Sequence, residues 1–145
     1  MTTVKVSGTP APQGSKRAFV HRHTGRAVVV ESSAKVRPWR AAITAACMAE
    51  RVPHQEGPVT VSMLFYMPRP RSHHRADGVT LRPTAPVSPS VRPDLDKLLR
   101  STLDGLTDAG VIEDDARIVS ISARKIYAVP PESPGALITI FKEKS

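Results

Sequence analysis

Little in this 145-residue chain suits covalent staples, stacking platforms or membrane spans. A single cysteine, Cys47, excludes an internal disulfide and a cysteine-based zinc cage. It falls in the apolar run AAITAACMA and reads as a buried structural thiol, not a nucleophile. One Trp, two Tyr and three Phe are too few for a protein that holds single strands by stacking bases. No apolar run approaches membrane-spanning length, and the opening MTTVKVSGTP lacks the apolar region of a signal peptide. A soluble, cytoplasmic protein without a membrane partner is expected.

Acid is also scarce, except in one place. Seven of the thirteen Asp and Glu residues fall between Asp94 and Asp115, within RPDLDKLLRSTLDGLTDAGVIEDDAR. The rest of the chain carries nineteen Lys or Arg against six acids. A net charge of +8 and a pI near 10.3 favour a polyanionic partner, nucleic acid ahead of a membrane surface. The bland alternative is a charge excess that only keeps the protein in solution. A compact acidic site on a basic chain is what a metal-dependent enzyme acting on nucleic acid requires: carboxylates hold hard cations, and surrounding cations hold phosphates.

The length suits one domain, residues 1–145, with a core large enough to need no staple. Val4 and Val6 alternate with polar neighbours over Thr3–Ser7, a short strand. Ala18–Val20 and Ala27–Val30 flank HRHTGR as a hairpin. Ser33 is a candidate helix start; Trp39, Ile43 and Cys47 recur every four residues, and Pro38 places the first turn near Arg37, with the end near Glu50. Val59, Val61, Met63, Phe65 and Met67 alternate strictly, as a strand does.

Residues 68–91 hold five of the fourteen prolines, four arginines and two histidines with no helical period, and are expected to form a long, mobile, basic loop. Its charge suggests a flap over nucleic acid, with a passive insertion as the alternative. His73-His74 lacks further metal ligands at suitable spacing and reads as solvated surface. A helix over Asp94–Ala109 carries Leu95, Leu98, Leu99, Leu103 and Leu106 on one stripe and stops at Gly110. Strands over Ile118–Val129 and Ala136–Lys142 follow, joined by the Pro130–Gly135 turn. The expected fold class is α+β: one small mixed domain with two main helices packed on a small β-sheet.

Asp94 and Asp96 open the second helix. If that stretch is still extended, both carboxylates project to one side and can share Mg²⁺. The competing reading is helix capping and dipole compensation. An EF-hand fails, because Leu98 and Leu99 stand where oxygen and glycine are needed. Asp114-Asp115 either supplies a third carboxylate or is a polar turn. The helix between is about 20 Å long, so Asp115 reaches Asp96 only along a nearly extended path or meets a partner chain's site. Arg100 lies four residues from both Asp96 and Asp104, as an ion-pair ladder or as a fixed cation beside a metal cluster. Asp108 is expected only to solvate the helix end.

The segment RPDLDKLLRSTLDGLTDAGVIEDDARI resembles the core motif of the RusA family of Holliday junction resolvases. The likeness rests on the Asp-x-Asp, on Asp104 eight residues later, on the Ala-Gly step and on the paired acids before an apolar strand. Weaker similarity covers most of the chain except 68–91, which is longer than the family leads one to expect. The resemblance implies a RusA-like fold and a small dimeric endodeoxyribonuclease. It implies Mg²⁺, with Mn²⁺ as a substitute, on Asp94, Asp96 and Asp115, in a bacterial cell or a phage. The family's catalytic lysine falls on Arg100, which keeps the charge but gives up a proton far less readily. Lys97 stands where asparagine is common.

The expected function is therefore Mg²⁺-dependent, paired hydrolysis of four-way DNA junctions in recombination and repair by a homodimer. Asp94, Asp96, Asp115, Arg100 and Asp104 form the site, with Asp104 orienting Arg100 or a metal-bound water. Lys16, Arg17, Arg22, Arg26 and Lys97 line the DNA path. The alternatives are a broader structure-selective nuclease and a non-catalytic nucleic-acid-binding module.

Overall fold

The computed structural model describes residues 1–14, 16–20, 22–31 and 34–144, the side chains of 16–19 and 27–31 excepted. The elements run β1 (Thr2–Ser7), β2 (Lys16–Val20), β3 (Ala27–Glu31), α1 (Val36–Ala49), β4 (Val59–Met67), α2 (Leu95–Asp108), β5 (Ile118–Tyr127) and β6 (Gly135–Lys142). Short 3-10 turns form at Arg71–His73 and Asp115–Arg117. This is the α+β domain expected, and the strand boundaries agree with the alternation in sequence. Ser33, the candidate start of the first helix, lies outside the described residues; α1 begins at Val36, with Pro38 in its first turn.

Four strands make one sheet in the order β1-β6-β4-β5, and β2-β3 form a separate antiparallel ribbon. β6 pairs antiparallel with β1 and β4, whereas β4 and β5 run parallel. The Pro130–Gly135 connection is thus no hairpin: β4 lies between the strands it joins. A parallel neighbour requires a long crossover, and here 68–91 plus α2 supply it. β5 is consequently an edge strand with one free side among the described residues.

The core follows the alternation. Val4, Val6, Val59, Val61, Met63, Phe65, Met67, Ile138 and Ile140 turn to one face of the sheet, where Trp39, Ile43, Cys47, Leu98 and Leu106 cover them. Burial pushes the Cys47 thiol up from its ordinary value, as suits a packing residue. The two helices approach closely because Gly105 has no side chain: a Cβ there would sit 2.8 Å from Ile43 Cδ1. Between the helices the Trp39 indole N–H donates to Thr102 Oγ1 at 3.1 Å, and Thr102 donates to the Leu98 carbonyl at 2.8 Å. This pair satisfies two polar groups inside the core. It also fixes the rotation of α2 and hence the direction of its acids.

Candidate functional site

α2 begins where Asp94, still extended (φ −68°, ψ 139°), hands over to Leu95. Asp94 is therefore the cap residue by position, yet its carboxylate makes no capping hydrogen bond. Its one ion pair is a long contact of 3.8 Å with Lys97 Nζ, and both side chains are about half exposed. Asp96 already lies in the first helical turn, so the extended Asp-x-Asp geometry does not occur. It is exposed and has no hydrogen-bonded or ionic partner among the described residues. Both residues lie at the N-terminal end of α2.

The segment before Asp94 is held from β5. Lys125 Nζ donates to the carbonyls of Val91 at 2.6 Å and Pro93 at 2.8 Å, on either side of the cis Arg92–Pro93 peptide. On the other side, residues 10–14 are tied along α2: Gln13 N donates to the Lys97 carbonyl at 3.0 Å, and Ser101 Oγ to the Ala11 carbonyl at 2.6 Å. Between these supports opens a cleft of about 640 Å³, lined by Pro10, Lys35, Asp94, Lys97, Lys125 and Tyr127 among others.

The remaining acids sort themselves by partner. Asp108 does more than solvate the helix end: Arg40 on α1 donates to it through Nε at 3.1 Å. Glu113 pairs with Arg117 at 3.1 Å. Asp114 accepts the Ala116 amide at 2.9 Å and so closes the second 3-10 turn. Asp115 is left with a long bond of 3.4 Å from the Thr107 hydroxyl. The ladder does not form, since Arg100 pairs with neither Asp96 nor Asp104. Arg100 is exposed; Asp104 is half-buried and has its own interactions, without orienting Arg100.

Asp115 lies beside Thr107, so the length of α2 separates it from Asp96 by roughly 16 Å at 1.5 Å per residue. The extended return path is not taken. Instead Gly110 (φ +73°) stops the helix, and Val111 and Ile112 are buried at its lower end, with Ile112 bridged to Gln55. Among the described residues no three His, Cys, Asp or Glu side chains gather within one chain. The oxygen donors suit a hard cation, but a single chain does not assemble all three.

Of the residues expected on the DNA path, Lys97 lines the cleft, and Arg22 and Arg26 are exposed between β2 and β3. The side chains of Lys16 and Arg17 lie outside those described. Lys125, Arg69 and Tyr127 were not singled out from sequence. The one signal for Lys125 and Tyr127 is that they share the helix-facing side of β5 with Ala123, where a lysine must find acceptors; Arg69 has none. No helix is long and apolar enough to cross a membrane among the described residues.

Weakly engaged carboxylates thus lie at both ends of one helix, on a strongly basic α+β domain. The family model of the endodeoxyribonuclease RusA matches residues 8–140, and the chain belongs to that family of Holliday junction-resolving endonucleases. No curated relative matches it significantly.

Proposed function

We propose that this protein is a Mg²⁺-dependent endodeoxyribonuclease that resolves four-way DNA junctions as a two-fold homodimer, in recombination and repair. The observation that carries this reading is the separation of the unspent acids to opposite ends of α2. A two-fold axis that sets two α2 helices antiparallel brings Asp94 and Asp96 of one protomer to Asp115 of the other. Exposed apolar side chains support such pairing. Val119 and Ile121 on the edge strand β5 are 63% and 40% exposed, and Leu99 on α2 is only partly buried. A dimer with two sites suits paired cuts on a branched substrate of the same symmetry.

In this reading Asp94, Asp96 and the second protomer's Asp115 hold the metal, for which Mn²⁺ is a substitute. Bound there, the ion supplies charge neutralisation and an acidified water. Arg100, one turn beyond Asp96 and without a neutralising partner among the described residues, stabilises charge that develops on the phosphate. Lys97 releases its long contact with Asp94 and turns to a phosphate oxygen. Lys125 keeps Asp94 in place through the two carbonyls before it. Arg22, Arg26 and the basic β2-β3 ribbon contribute affinity without sequence preference.

The test is cleavage of a labelled four-way junction beside matched linear duplex, with Mg²⁺ or EDTA, by wild type and Asp96→Asn. Paired, metal-dependent nicks on the junction, lost in the variant while binding persists, are expected. Equal cutting of both DNAs would replace junction resolution by a broader nuclease activity. Binding without any cut in Mg²⁺ or Mn²⁺ would leave a non-catalytic module.

A further inference from the structure

Between Pro68 and Val91 the chain builds a lobe that the proposed hydrolysis does not use. Both its ends are anchored on β5. The Arg69 guanidinium lies 4.1 Å from the Tyr127 ring centroid and donates to the Pro86 carbonyl at 2.7 Å. The His73 ring meets the same tyrosine edge-on, with centroids 5.5 Å apart. At the other end Lys125 holds the Val91 carbonyl. Since Lys125 also holds Pro93, the lobe rises from the end of the molecule that carries Asp94.

Within the lobe the chain doubles back on itself. His74 bridges Leu81, Arg75 N donates to the Thr80 carbonyl at 2.7 Å, and Arg82 N donates to the His73 carbonyl at 2.9 Å. The tip is closed by Asp77, whose carboxylate accepts the amides of Val79 and Thr80, each at 2.9 Å, and the Thr80 hydroxyl at 2.6 Å. The tip thus has a definite shape. Nevertheless it buries little: Val79 is 80% exposed and Leu81 43%.

Around it stand three exposed arginines. Arg71 and Arg75 have no side-chain partner among the described residues, and Arg82 spends only Nε, on the His74 carbonyl. The segment's single acid, Asp77, turns its oxygens onto its own backbone. An apolar point on a cationic base is poor surface for a protein alone in water. It is matched to opened DNA, where unstacked base faces are apolar and the strands on either side are anionic.

We propose that the 74–81 tip is a wedge that enters an opened base step of branched DNA, with Arg71, Arg75 and Arg82 on the flanking phosphates. This rests on the reading of the chain as a DNA-cutting enzyme and gives that enzyme a device for choosing its substrate. Inserting apolar side chains between bases requires unstacking. The cost is lowest where pairs are already open, as at a branch point, and highest in continuous duplex. The wedge therefore favours branched over linear DNA without reading sequence. The arginines add affinity for both, with a salt dependence set by the number of phosphates neutralised.

The experiment measures binding of the full chain, without divalent metal, to a four-way junction carrying 2-aminopurine at the branch point and to matched duplex. Val79→Ser/Leu81→Ser is expected to lower the junction-to-duplex affinity ratio about tenfold. It abolishes the rise in 2-aminopurine fluorescence and leaves duplex affinity and Tm unchanged. Arg71→Gln/Arg75→Gln/Arg82→Gln is expected to weaken binding to both DNAs and to reduce the logarithmic salt slope by about one per arginine. A Val79→Ser/Leu81→Ser variant that keeps both the wild-type ratio and the fluorescence rise overturns the wedge while the nuclease reading stands. A wild type that binds neither DNA overturns both.

Discussion

Chains carrying Asp96→Asn and chains carrying Asp115→Asn, each inactive alone, are expected to restore cutting when their subunits are mixed. Asp115 is bonded to Thr107 near the end of α2, so it stands roughly 16 Å from its own Asp96. In a mixed dimer built on antiparallel α2 helices, one site receives both damaged groups and the other receives neither. Equal amounts exchanging at random make about half the dimers mixed, so roughly a quarter of all sites regain three carboxylates. Each mixed dimer cuts one strand only, so the product is a nicked junction and not a pair of resolved duplexes. The assay follows strand cleavage on denaturing gels in Mg²⁺, with two affinity tags reporting subunit exchange. Verified mixed dimers that nick no faster than either parent would refute the shared site and return Asp115 to its own chain. Wild-type cutting by Asp115→Asn alone would remove that carboxylate altogether.

Three further outcomes follow from the local chemistry. Thr102→Val keeps the shape of the helix interface but leaves the Trp39 indole N–H without its acceptor. A loss of about 1–3 kcal/mol, read as a lower urea midpoint at unchanged m, is expected. Lys125→Met frees the carbonyls of Val91 and Pro93 and so loosens Asp94. The Mg²⁺ concentration for half-maximal junction cutting is expected to rise about tenfold, while metal-free DNA affinity stays near wild type. Asp77 is held down to about 2, first by the Thr80 hydroxyl and then by the amides of Val79 and Thr80. Because the folded value lies below the ordinary 3.8, this support is full above about pH 4 and is lost as the pH falls toward 2. Protection of the Val79 and Thr80 amides is expected to decline over that window, and constant protection would contradict the assignment.

Much of the fold was legible because its signals are local. The alternation from Val59 to Met67 specifies a strand, and Gly110 marks the end of α2 through a backbone conformation that glycine adopts freely. Strand order was not legible, since it depends on pairings far apart in sequence. Nothing in the Pro130–Gly135 turn announces that β4 will lie between the strands it joins. The bridged tip of 71–82 escaped for another reason: its hydrogen bonds join backbone groups and the Asp77 side chain, which leave no apolar period to read.

At the site, sequence identified the acidic stretch but could not say which acids were already engaged. That selection is made by packing. Arg40 engages Asp108 only because α1 lies against α2, and Asp114 is consumed by the turn it starts. Asp115, its neighbour, is left with one long hydroxyl contact, and Asp94 sits at a cap position without capping. A carboxylate that serves a metal must be fixed in place yet not neutralised, because a strong intramolecular partner competes with the cation. Asp94, Asp96 and Asp115 are the acids of the stretch that are not neutralised by a close partner among the described residues, and the resemblance of the motif implies its ligands at the same three positions. On the proposed shared site, their separation along α2 has a functional consequence. A lone chain would carry an incomplete centre, and cutting competence would arise only with the dimer that makes both incisions.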